Sequence, residues 1–161
     1  MKRVVITGAG AISPLGHDWA SVRARLEARR NAVQVYPEWG QYKGLNTRMG
    51  VPCEPFELPA HYNRKTTRSM GRVALMAVRA SEMALEDAGL LGSPLLGSGQ
   101  LGISYGSSAG TPASMSDFGR MVLEKTTDTI NATTYIKMMA HTAPVNISVF
   151  FGITGRVITT S

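Results

Sequence analysis

Blocks of apolar residues change period along the chain, from strand-like to helix-like and back. Residues 2–7, KRVVIT, are a short β-branched run ending at Gly8 and Gly10, and they predict a buried strand that opens an α/β unit. Asp18 is placed to cap a helix over 18–30, with Trp19, Val22 and Leu26 on one face. Residues 31–60 carry Pro37, Pro52, Pro55 and Pro59 without clear periodicity and read as a long surface excursion. The strongest helical pattern runs from Thr67 to Ala88. There Met70, Val73, Ala74, Ala77, Ser81, Ala84, Leu85 and Ala88 recur at spacings of three and four as a narrow, small-residue stripe, and Gly89 supplies the stop. So much alanine on one face predicts a neighbour approaching closely. A Gly/Ser/Pro loop over 90–100 leads to a strand, LGISY at 101–105, and a second glycine turn, GSSAGT at 106–111. A helix near 114–125, a helical stretch over 133–151 and a final strand-like RVITTS complete the order.

Strand, helix, strand, helix, strand is the pattern of a parallel sheet covered by helices. Such a sheet needs cover on both faces, so residues beyond Ser161 are expected to complete the fold.

Composition narrows the partners. The chain has 161 residues, 43% of them hydrophobic, and no apolar run approaches the roughly 18 residues of a membrane span. The opening MKRVVITGAG has too short an apolar run for a secretory signal, so a cytoplasmic protein is expected. The single cysteine, Cys53, cannot form an intramolecular disulfide, and with proline on either side in VPCEPF it reads as structural or incidental. Seventeen Lys and Arg against eleven Asp and Glu give a net charge of +6, which favours an acidic partner. The basic residues gather in two clusters, Arg23, Arg25, Arg29, Arg30 and Arg64, Lys65, Arg68, Arg72, each of which alone reads as a solvated helix face. No interleaved aromatic platform, helix-turn-helix or zinc-ligand spacing accompanies them, which disfavours nucleic acid and gives no metal site. His17, His61 and His141 read as ordinary surface or core histidines.

A strand followed by TGAG invites a dinucleotide-binding reading, but the spacing fails. Ser13 stands where the third glycine belongs, Pro14 interrupts the turn, and no acidic ribose partner follows in a βαβ context. No nucleotide or other cofactor is expected.

Four ordered segments carry a resemblance instead. VVITGAGAISPLG at 4–16 resembles the opening strand and turn of the β-ketoacyl-acyl carrier protein synthases. RVALMAVRASEMALEDAGL at 72–90 resembles their long alanine-rich helix, ISYGSSAG at 103–110 their second strand and glycine turn, and FGITGRVITTS at 151–161 the stretch leading into T-A-C. The resemblance implies a thiolase-like α/β fold, with residues 1–161 as the N-terminal half of a layered α/β/α/β/α architecture. It also implies decarboxylative Claisen condensation of an acyl thioester with malonyl-carrier protein. The catalytic cysteine and two histidines would then lie after Ser161, with none in this chain. The alternative is a non-catalytic, chain-length-factor-like partner of the same fold.

Within 1–161 the resemblance implies two sites. Arg64, Lys65, Arg68 and Arg72 are the candidates for docking acyl carrier protein, and Ala109, Thr134, Tyr135, Met138 and Met139 for the acyl pocket. A homodimer or a ketosynthase/chain-length-factor heterodimer is implied as well. Pro144 and the GRV in place of the usual G-P-x depart from the pattern, and Pro144 predicts a lost helical hydrogen bond and a kink.

Overall fold

The computed structural model describes residues 3–53 and 55–160. The chain divides into two compact units, Gly10–Glu57 and Met1–Ala9 together with Leu58–Ser161.

In the smaller unit, α1 (Trp19–Glu27) starts as the sequence predicts: Asp18 accepts the Ser21 N–H at 2.8 Å and the Ser21 hydroxyl at 2.6 Å. Those bonds hold the Asp18 carboxyl below its usual range, the side-chain bond from Ser21 being the largest cause. The predicted apolar face is not buried: Trp19 is 69% and Leu26 53% exposed, and α1 buries no residue. Arg23 spends its charge on Glu27 one turn away. The excursion that follows contains a short antiparallel ladder, β1 (Gln34–Val35) with β2 (Met49–Gly50), closed by Tyr36 stacked on Trp39 at 4.6 Å.

The larger unit holds the core. A single turn of helix, α2 (Arg64–Thr67), precedes α3 (Arg72–Asp87), so the continuous helix predicted from Thr67 is interrupted over 68–71. Gly71, in extended backbone, is the N-cap of α3. It lies against Thr111, and a β-carbon there would overlap the Thr111 hydroxyl. At the other end Gly89, at φ +66°, closes α3 in a Schellman arrangement: Leu90 N–H donates to Leu85 O at 2.8 Å and Gly89 N–H to Glu86 O at 3.0 Å.

Beyond a loop, β3 (Ile103–Gly106) pairs in parallel with β4 (Val157–Thr160), Tyr105 opposite Thr159. Between them run α4 (Pro112–Glu124), α5 (Thr134–Met138) and α6 (Thr142–Phe151). The parallel pairing is the one the order of elements predicts. α6 packs on α3, and Met70, Ala74, Val78, Leu96, Ala143, Ile147 and Ile153 form the core between and around them. Val78 is fully buried, a burial that stabilises by about 1.5–3 kcal/mol.

Two further expectations change. Residues 3–7 form no strand, and Val4 and Ile6 are 92% and 93% exposed, because β3 and β4 bond only to each other among the described residues. Lys2 and Ser161, the outer ends of the two predicted terminal strands, lie outside the described residues. The opening segment is held instead by its glycine turn: Ala9 N–H donates to Asp87 at 2.9 Å, and a β-carbon on Gly8 would overlap Ala84 O. This is the close approach that the alanine stripe predicts, with Ala84 and Ala88 leaving the room. Pro144, in turn, causes no break. It is the third residue of α6, where the helix has no partner for an N–H, and it is fully buried in an unbroken helix.

Candidate functional site

Two places in the larger unit gather chemistry. The first is a cleft of about 180 Å³ at the carboxyl ends of β3 and β4. Parallel strands leave their ends uncovered where the chain departs in different directions, and ligands of α/β proteins bind there. Tyr105, Ser107, Ser108, Thr159, Thr160 and His141 bring polar groups to this cleft, with Met139 and Ala140 on the remaining wall. Burial pushes the Tyr105 phenol up, against an opposing hydrogen bond with Ser107.

One wall of the cleft is fixed by the turn after β3. Thr111 N–H donates to Lys137 O at 2.8 Å, tying the turn to α5. Gly110 then runs so close that a β-carbon would overlap Met138 O and meet Lys137 O at 2.6 Å. Thr142 Oγ1 lies 2.7 Å from Ile136 O and 2.8 Å from Met139 O, which sets the step from α5 to α6 and the position of Met139.

Of the residues assigned to an acyl pocket, only Met139 lines this cleft. Ala109 is exposed on the adjoining turn, its carbonyl accepting Ser107 Oγ at 2.9 Å. Met138 is half-buried and Thr134 buried, its hydroxyl accepting from Asn131 N–H at 3.0 Å. Tyr135 is 56% exposed, edge-on to Phe118. The sequence pattern does not single out Ser107, Ser108 and His141 as cleft residues. Their one signal is position, immediately after a strand and immediately before a helix.

The second place is the basic turn. Asn63 caps α2 by accepting the N–H groups of Lys65 at 2.9 Å and Thr66 at 3.1 Å. Arg64, Lys65, Arg68 and Arg72 are all exposed, and among the described residues Arg64, Lys65 and Arg68 enter no ion pair. In the first basic cluster Arg23 is paired with Glu27 and Arg25 donates to Pro14 O at 3.1 Å, while Arg29 and Arg30 are exposed and enter no ion pair among the described residues.

Beneath the basic turn lies a group that the sequence pattern does not reveal. Glu82, 4% exposed on the core face of α3, accepts from His61 Nε2 at 2.6 Å, from the Tyr62 hydroxyl at 3.0 Å and from Arg79. Burial by itself raises this carboxyl, but the bonds from Arg79, His61 and Tyr62 together outweigh it and hold the group below its usual range. Burial and donation to Glu82 push the Tyr62 phenol far above its ordinary value. His61, which reads from sequence as an ordinary loop histidine, is thus fastened to a buried carboxylate. The available signal is Glu82 itself, a charge four residues from Val78 on an otherwise apolar face.

A helix-covered parallel strand pair with a cleft at its carboxyl ends defines a layered α/β protein. The family model for the beta-ketoacyl synthase N-terminal domain matches residues 1–161, and the chain belongs to this family. It is 45% identical to a beta-ketoacyl synthase from Burkholderia phymatum, superposing with a TM-score of 0.92 over 100% of this chain and 40% of that one. It is 37% identical over 91 residues to 3-oxoacyl-[acyl-carrier-protein] synthase 1 of Haemophilus influenzae, covering 56% of this chain and 22% of that protein. Nodulation protein E of Rhizobium meliloti is 30% identical over 162 residues, covering 97% of this chain and 38% of that protein. The chain therefore spans less than half the length of these relatives. The thiolase-like fold read from the sequence is the one they share. Among the described residues, no helix is long and apolar enough to cross a membrane, and no three or more His, Cys, Asp and Glu residues gather so as to hold a metal ion.

Proposed function

We propose that the protein works as a 3-oxoacyl-[acyl-carrier-protein] synthase, to which these residues contribute a carrier-docking surface and part of the acyl pocket. The observation that carries this reading is the superposition on a beta-ketoacyl synthase along the whole of the chain. In the reaction, a cysteine thiolate beyond Ser161 takes the acyl group from its carrier thioester and releases the carrier thiol. Malonyl-carrier protein loses carbon dioxide, and its enolate carbon attacks the acyl-cysteine carbonyl, expelling the thiolate. Full-length protein given acyl- and malonyl-carrier protein is expected to yield 3-oxoacyl-carrier protein and carbon dioxide in equal amounts. No product, with active carrier proteins present, overturns the reading in favour of a non-catalytic partner subunit.

Arg64, Lys65 and Arg68, exposed and in no ion pair among the described residues, with Arg72 beside them, suit an acidic carrier protein met by electrostatic steering. Arg68→Glu is expected to raise the apparent KM for acyl-carrier protein severalfold, with the effect shrinking as salt is added. An unchanged KM at low salt refutes the docking role.

The proposed acyl pocket is centred on Met139, which lines the cleft, with Ala109 on the adjoining turn and Thr134, Tyr135 and Met138 on α5 as its further candidates. A residue as small as Ala109 leaves room for long chains. Ala109→Trp is expected to confine the product profile to short acyl groups, read by mass spectrometry of the carrier-bound products; retention of long-chain products argues that the chain runs elsewhere.

A further inference from the structure

We infer that Glu82 and His61 are positioning residues for carrier-protein docking: the buried carboxylate holds the start of the basic turn in place through His61 and Tyr62. The inference rests on the docking reading above.

The basic turn is four residues long, Arg64–Thr67, far too short to keep its shape unaided. Its order is imported from both ends. At the back, Met70 is buried at 6% exposure, and Ser69 Oγ donates to Asn146 Oδ1 on α6 at 2.9 Å. At the front, the hydroxyls of Thr66 and Thr67 donate to Asn63 O at 2.9 and 3.0 Å, so the turn follows wherever Asn63 is put. Asn63 comes directly after His61 and Tyr62, and both of these bond to Glu82. Tyr62 is additionally wedged against Phe150, ring centres 4.7 Å apart. The exposed charges of Arg64 and Lys65 are thereby suspended between α3 and α6.

A carboxylate is a poor choice for this place if cohesion alone mattered. Burying it costs desolvation that is outweighed only when Arg79, His61 and Tyr62 all donate to it, so the carboxylate is favourable only with the loop seated on it. What the carboxylate adds is direction. Two oxygens select one placement for two consecutive residues of the approaching loop, and so one placement of the charges that follow. Imprecise charge placement weakens recognition of a charged partner while leaving chemistry at a distant thiol untouched.

Steady-state kinetics of the full-length enzyme test this with two substrates, acyl-carrier protein and the same acyl group on N-acetylcysteamine, which has no carrier to dock. His61→Ala removes an imidazole whose side chain is 57% exposed and should leave folding intact; Glu82→Gln keeps the shape and removes the charge. For each, KM for acyl-carrier protein is expected to rise about threefold or more, roughly 0.7 kcal/mol of binding, with kcat and the N-acetylcysteamine KM unchanged. His61→Gln, whose amide still donates to Glu82, is expected to recover most of the loss. Equal losses on both substrates, or no change in KM for the carrier, overturn the positioning role. Arg68→Glu measured alongside separates the two readings: a rise there with none in His61→Ala or Glu82→Gln sinks the positioning role alone, and no rise in any of the three sinks docking at this surface as well.

Discussion

Gly110→Ala is expected to lower the stability of the full-length protein by about 3 kcal/mol or more, near the upper end for overpacking. The added carbon would overlap Met138 O and lie 2.6 Å from Lys137 O. Both obstacles are backbone, so no rotamer change relieves them. The turn after β3 must withdraw, breaking the Thr111–Lys137 hydrogen bond and shifting the wall that carries Met139. Gly119→Ala makes the matched comparison. That glycine sits exposed within α4, with nothing inside 4 Å of where a β-carbon would go, and alanine there should stabilise by about 0.5–1 kcal/mol. Denaturant melts of the two variants with the same sign would contradict the close approach at Gly110.

Glu82→Ala is expected to cost about 2–3 kcal/mol, and exposure decides where that cost arises. The His61 side chain is 57% and the Arg79 side chain 26% exposed, so both turn to water once the carboxylate is gone. Tyr62 cannot, at 8% exposure, and its stranded hydroxyl carries a penalty of about 1–3 kcal/mol. The lost packing of the side chain adds to this, while relief of the buried charge subtracts. A companion prediction concerns acid. Because the folded carboxyl titrates below its unfolded value of 4.5, its contribution is complete above that pH and is lost as pH falls through the lowered folded value. Stability of wild type against pH, minus that of Glu82→Gln, is therefore expected to be flat above about pH 5 and to shrink on acidification. A difference independent of pH down to about 3 would contradict the charged state assigned to Glu82.

Helices are legible in this sequence where a cap announces them. Asp18 and Gly89 each act through backbone geometry within a few residues, and each appears where the pattern puts it. Apart from the alanine stripe, whose room the turn at Gly8 takes up, signals that depend on a distant neighbour do not carry. KRVVIT has the composition of a strand, yet strand formation requires a partner, and residues 3–7 bond to none among those described. Pro144 reads as an interior residue because the start of α6 is marked by no side-chain cap, which leaves the boundary silent in the sequence. The basic turn is visible because charge and exposure go together. Glu82 is not, because a single charge on an apolar stripe shows its purpose only when the loop at 61–62 folds back onto it.

The two-stranded sheet has a practical consequence. Each of β3 and β4 has one hydrogen-bonded neighbour among the described residues, and Val157 and Ile158 remain 37% and 47% exposed. Unpaired amide and carbonyl rows flanked by valine and isoleucine are templates for adding a further strand from any chain that offers one. A polypeptide trimmed to these residues would therefore be a poor reagent, prone to stacking with itself into higher-order assemblies. Binding constants measured on it would report that self-association as much as any encounter with a partner.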